Sequence, residues 1–172
     1  MIQTDAVQFR RVRDTDLGEI INFVRSADEL FLFAPAASYP LSIDALQVII
    51  HQRLHASVLV YQQRVAGFAN FYQYEKGESI FLGNLVVHPQ LRGKGLGTLL
   101  VKHMLADLFK HYDVREARLS VFAGNHAAMN LYTSFGFRMY AKEWRRKPNG
   151  EKVLLHHMQL FREQYLAGVK HE

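Results

Sequence analysis

The spacing of apolar positions changes repeatedly along the chain, and each change marks an element. Val7, Phe9 and Val12, with Arg10 and Arg11 among them, predict a first strand over Ala6–Val12. Asp14 or Thr15 can cap a helix in which Leu17, Ile20, Ile21 and Val24 recur at helical spacing. Ser26–Leu41 is apolar and aromatic but carries Pro35 and Pro40, so it reads as a short helical turn and then a loop, either lining a substrate cleft or plugging the core. Ser42 caps a second helix with Ile43, Leu46, Ile49, Ile50 and Leu54 turned inward. Strands follow at Ser57–Gln62, Val65–Tyr74 and Ser79–His88, and the short turns between them predict an antiparallel meander.

Leu82–Met104 is the most informative stretch. Leu82, Leu85, Val86 and Val87 form an apolar strand that Pro89 stops. Arg92-Gly93-Lys94-Gly95-Leu96-Gly97-Thr98 follows, and then a helix to about His111 carrying Leu99, Leu100, Met104 and Leu108. Strand, glycine-rich turn and helix make a site for an anionic phosphate group: the glycines leave backbone N–H groups bare, and the helix presents its positive end to them. A Walker loop needs a Ser or Thr after Gly-Lys, where Gly95 stands, and a glycine where His88 stands. A dinucleotide fingerprint needs a third glycine where Thr98 stands.

Beyond this helix, Arg115–Phe122 alternates as a strand, so strand–helix–strand predicts a locally parallel pair. Asn125 can cap a helix holding Ala128, Leu131, Tyr132 and Phe135, with Gly136 as its left-handed terminator. Phe137–Arg145 and Lys152–Phe161 are the last strands, joined by a hairpin at Lys147-Pro148-Asn149-Gly150. Residues 162–172 read as a polar tail that frays, and the whole chain, 1–172, as one domain.

The Q-x-x-G-x-G spacing at Gln90, Gly93 and Gly95 resembles the acyl-CoA pyrophosphate loop of the GNAT N-acetyltransferase superfamily. The later run Asn125-x-x-Ala128-x-x-Leu131-Tyr132-x-x-Phe135-Gly136-Phe137 resembles the second half of that family's cofactor site, and the motifs stand in the family's order. The resemblance implies a mixed, mostly antiparallel α/β (α+β) sheet with a central parallel pair splayed apart, flanked by about four helices. It implies acetyl transfer from acetyl-CoA, as co-substrate, to a primary amine of a small molecule or protein. Leu85, Val86 and Val87 would offer backbone groups to the pantetheine arm, with the Val87 amide facing the developing oxyanion. Arg92, Gly93, Lys94, Gly95, Leu96, Gly97 and Thr98 would hold the pyrophosphate, mainly through main-chain N–H groups. Asn125 would bind near the arm, and Tyr132 would protonate the leaving thiolate. The carboxylate base that many relatives carry on the central strand has no counterpart in Ile80–Asn84. Glu78, Glu143, Tyr72 and a water chain at Asn84 stay open, with ordered water as the default route for the proton. Acceptor choice falls to Leu30–Leu41 and the hairpin around Pro148.

Composition narrows the partners. The chain has no cysteine, which excludes disulfides, thiolate metal sites and an acyl-cysteine mechanism on this chain. The net charge of +5 is spread along the sequence, which fits an enzyme of a polyanionic co-substrate better than a nucleic-acid binder. No apolar run has the length to span a bilayer, and the N-terminus has no signal-peptide core, so a cytoplasmic enzyme is expected; a homodimer is left open. No metal is expected: His51 and His55 lack the Glu of a zinc-protease motif, and His156 and His157, adjacent on a strand, face opposite ways. Trp144 reads as a sheet-edge anchor. Two other classes remain: a non-catalytic acyl-CoA sensor and a basic nucleic-acid-binding domain.

Overall fold

The computed structural model describes Ile2 and residues 6–169. Among the described residues seven strands form one mixed sheet in the order β1-β2-β3-β4-β5-β7-β6. They are β1 (Val7–Arg11), β2 (Leu54–Tyr61), β3 (Arg64–Glu75), β4 (Ser79–Val87), β5 (Glu116–Phe122), β6 (Arg138–Arg146) and β7 (Lys152–Phe161). The helices are α1 (Leu17–Ile20), α2 (Ala27–Phe33), α3 (Ile43–His51), α4 (Leu96–His111), α5 (His126–Ser134) and α6 (Arg162–Val169). The chain clusters into two compact units, Met1–Tyr72 with Gly83–Met104 and Gln73–Leu82 with Leu105–Glu172.

In the first unit β1 pairs antiparallel with β2, and β2 with β3. Leu17, Ile20, Phe23, Leu30, Phe33 and Leu46 from the early helices pack with Val58, Val60, Phe68 and Val86 into one apolar cluster. Ser26 and Ser42 cap α2 and α3, their hydroxyls accepting from the amides of Glu29 and Ala45, both at 3.1 Å. The predicted first helix is broken: 3-10 turns at Asp14–Asp16 and Ile21–Phe23 flank the four-residue α1. Gly18 and the β-branched Ile20 and Ile21 disfavour a continuous α-helix. Arg10 fixes this segment with a fork on the buried Asp16 carboxylate at 2.7 and 2.8 Å, and the Arg13 amide adds a third donor at 2.7 Å.

Leu54 departs from expectation. Instead of lying inward on α3 it opens β2 opposite Phe71 and is 40% exposed, because the helix ends at His51. Gly67 on β3 lets α4 approach: a Cβ there would stand 3.1 Å from a Leu100 methyl. Phe9 of β1 stacks on His103 of α4 at 4.0 Å.

In the second unit the start of β4 pairs parallel with β5, Ser79–Phe81 against Glu116–Arg118, while β5 continues its antiparallel ladder with β7 as far as Phe122. β6 pairs antiparallel with β7, with a register shift between Met139 and Ala141. Alternation turns Ala117, Leu119, Val121, Met158 and Leu160 to the buried side. Trp144 is 68% exposed, not an edge anchor.

The expected fraying tail is a correction too: Arg162–Val169 forms α6. Arg162 explains it. Its guanidinium donates to the carbonyls of Phe109, Tyr112 and Val114, each at 2.8 Å, and lies over the Phe109 ring. These carbonyls belong to the last turn of α4 and the segment after it, where acceptors lack intrahelical donors and a cation is favoured. A polar composition therefore concealed an anchored helix.

Candidate active site

In the first unit, β4 leads through the 3-10 turn Pro89–Leu91 to the bend at Arg92–Gly95 and into α4. Gly93 and Gly95 sit at φ +73° and +87°, the left-handed region, and a Cβ at either would meet nothing within 4 Å. Space beside both glycines is open, so a diphosphate can reach the main chain. Behind the bend, the first amides of α4 lack intrahelical acceptors by geometry. Gln90 serves this bend through its amide, which donates to His88 Nδ1 at 3.2 Å. Burial, reinforced by the Arg64 charge, pushes the His88 imidazole below its ordinary range, which keeps Nδ1 an acceptor.

The side chain of Arg92 has protein partners of its own. Its Nε donates to the Val87 carbonyl at 3.1 Å, and its terminal nitrogens to the Phe23 carbonyl at 2.9 Å and to Glu29 at 3.0 Å. The hydrogen bond from Arg92 holds the Glu29 carboxyl below the usual range, against the effect of burial. The brace ties the end of β4, the bend and the start of α2 together, and it engages the Val87 carbonyl while leaving the Val87 amide, the expected oxyanion donor, out of its contacts. Glu29 and Phe23 were invisible as site residues, since nothing in their spacing connects them to a glycine loop.

Two residues before Leu85–Val87, Gly83 lies so close to the Tyr72 ring that a Cβ would be 2.6 Å from it. Asn84 adopts φ +47°, a conformation that asparagine tolerates better than most side chains. Its amide donates to the Phe33 carbonyl at 2.8 Å and accepts from Asn70 at 2.9 Å. Asn70 is fully buried, and its Oδ1 has no partner among the described residues. A lone polar residue inside the apolar run of β3 was the available signal for it.

The second unit carries the later motif. Asn125 caps α5, its side chain accepting from the Ala128 amide at 3.3 Å. Tyr132 is buried and meets Phe137 edge-on at 6.0 Å, and Gly136 at φ +91° turns the chain out of α5. Three of the open candidates for the base have contacts of their own. Glu78 pairs with Arg115 at 3.0 Å, and Arg53 lies over the Tyr72 ring at 4.2 Å. Glu143 pairs with Arg145 and faces His157. His51 ends α3 while His55 lies in β2, so they share no helix face, and among the described residues no three metal-ligating side chains come together.

A parallel strand pair linked through a glycine bend and a long helix defines a class of α/β proteins that seat a phosphate-bearing ligand on backbone amides. The sequence model of the acetyltransferase (GNAT) family matches residues 22–137, and the chain belongs to that family. It is 31% identical over 103 residues to a spermine/spermidine N(1)-acetyltransferase of Bacillus subtilis, which covers 56% of this chain and 66% of that protein, just short of two thirds of its length. It is 24% identical over 145 residues to a mouse thialysine N-epsilon-acetyltransferase, covering 76% of this chain and 84% of that one. The fold matches that of a spermidine N-acetyltransferase from Vibrio cholerae, solved with CoA and spermine, at a TM-score of 0.79 and 20% identity over 94% of this chain and 99% of that one.

Proposed function

We propose that this protein is an acetyl-CoA-dependent N-acetyltransferase acting on a primary amine carried by an aliphatic chain. Family membership supports the reaction type, and the acceptors in the names of the relatives support the acceptor class. One observation carries the reading at residue level: the open, positive-φ bend at Gly93 and Gly95 that leads into α4. The residues present fit the diphosphate of acetyl-CoA. The co-substrate supplies an activated thioester carbonyl.

The chain's own work is then to bind, orient and move protons. Main-chain amides from Arg92 to Thr98 grip the diphosphate, with α4's positive end behind them. The backbone of Leu85–Val87 aligns the arm, the Val87 amide stabilises charge growing on the carbonyl oxygen, and Asn125 holds the arm further along. Tyr132 donates its phenolic proton to the sulfur that leaves, a role open to a phenol because it stays protonated at neutral pH. Among the described residues no helix is long and apolar enough to cross a membrane, and this reading assigns the enzyme to the cytoplasm. The test is thiol release from acetyl-CoA across a panel of polyamines and lysine-like amines. Acceptor-dependent release with an N-acetylated product by mass supports the reading; binding of CoA without turnover on any amine refutes it in favour of a sensor.

A further inference from the structure

The amine must lose a proton, and the sequence offers no carboxylate at the customary place. The second unit assembles another group. β7 runs between β5 and β6, and register sets Ser120 opposite His157 on one side and Ala141 opposite His157 on the other. Ser120 Oγ lies 2.8 Å from His157 Nδ1, and Glu143 Oε2 lies 3.4 Å from His157 Nε2. Hydroxyl, imidazole and carboxylate thus stand in series across three neighbouring strands. The cluster is reachable: the His157 side chain is 19% exposed and that of Glu143 40%.

We propose, resting on the acetyltransferase reading, that His157 is the general base for the acceptor amine and takes its proton through Ser120. With the Nε2 proton directed at Glu143, the neutral ring presents the Nδ1 lone pair to Ser120. In the step, the amine N–H bond breaks and its proton passes to Ser120 Oγ while the Ser120 proton passes to Nδ1. The amine nitrogen then keeps the electron pair that attacks. The imidazolium formed faces the Glu143 carboxylate and later returns its proton to water.

Glu143 is a positioning residue and a poor base itself. Burial works against its charge, but Arg145 and His157 outweigh that and hold its carboxyl below the usual range. The other groups around the ring are named by the same strands. Tyr140 of β6 sits at the register shift with its ring 6.0 Å from the His157 ring, and burial pushes its phenol up. Arg118 of β5 lies over Tyr140 at 5.3 Å and is paired with the buried Glu116. Arg118 and Glu116 pair with each other, and Glu143 shares its carboxylate between Arg145 through Oε1 and His157 through Oε2.

The experiment uses the full chain with spermine as acceptor. His157→Gln should lower kcat by about 100-fold or more while the Kd for acetyl-CoA stays within about twofold. Glu143→Gln removes the anion that orients the ring through Nε2, so kcat should fall by about tenfold or more while the KM for spermine stays within about twofold, a split that loss of packing would not produce. Turnover of either His157→Gln or Glu143→Gln within threefold of wild type overturns the proposal. Imidazole 15N spectra separate it from the reading beneath it. Spermine without acetyl-CoA should shift the His157 signals, and unchanged signals overturn this site even if the enzyme acetylates amines. A wild type inert toward all amines refutes the transferase reading, whatever the spectra show.

Discussion

Arg92 provides the sharpest test, because the sequence places it in the phosphate loop and the structure turns its side chain away. Replacing it by alanine removes donors to two carbonyls, Val87 and Phe23, and to Glu29. A hydrogen bond from a charged donor contributes about 1.5–3 kcal/mol when buried. The Arg92 side chain is 41% exposed and Glu29 32%, so water partly replaces each contact and the ion pair itself is worth under about 1 kcal/mol. The two carbonyl bonds at the low end plus a screened pair give about 3 kcal/mol. In a domain of this size that lowers Tm by about 6–12 °C. Arg92→Ala should therefore melt markedly early by circular dichroism, whereas Glu29→Gln should lower Tm by under about 4 °C. Titration calorimetry well below the melt should show CoA affinity for Arg92→Ala reduced by less than about tenfold, under about 1.4 kcal/mol. A Tm within about 1 °C of wild type, together with a much larger loss of CoA affinity, would show that the guanidinium serves the phosphates and that the brace is incidental.

Three further outcomes follow from the geometry. Gly95→Val forces a branched side chain into a left-handed conformation where a ligand must approach, so CoA binding should fall by more than tenfold in calorimetry at a folding cost of about 1–2 kcal/mol; normal CoA binding would refute the loop assignment. Tyr132→Phe should lower kcat by about 10²-fold or more with acetyl-CoA Kd nearly unchanged, and equal turnover would remove it as the acid. Burial opposes the Asp16 carboxylate, but the Arg10 fork and the Arg13 amide outweigh it and hold the carboxyl below its ordinary range. Its contribution to stability is then complete above the unfolded-state pKa and lost as pH falls through the folded one. Asp16→Asn should be less stable at neutral pH and should lose less stability on acidification, as followed by urea melts between pH 7 and pH 3.

Legibility tracked the range over which each signal acts. Local signals were readable: Ser42 and Asn125 announced their caps, Gly136 its terminator, and Pro89 with the glycines the strand–bend–helix unit. Signals that depend on register were not. Ser120 and His157 lie 37 residues apart, and only the β5–β7 ladder reveals that they touch. The side-chain partners of Arg92 were equally hidden: Phe23 lies in a 3-10 turn and Glu29 in α2, and the spacing of neither points to a glycine bend more than 60 residues on. Arg162 was misjudged for the same reason: a cation among polar residues looks solvated until three carbonyls converge on it.

The strand order of the second unit has one more consequence. β7 lies between β5 and β6, both of which are synthesised before it. During translation those two earlier strands cannot join each other in the native arrangement, so each holds an open row of amides and carbonyls until the newcomer is threaded in. The nascent chain should thus be most vulnerable to sticking and to chaperone capture in the interval after the Pro148 hairpin appears and before Phe161 clears the ribosome.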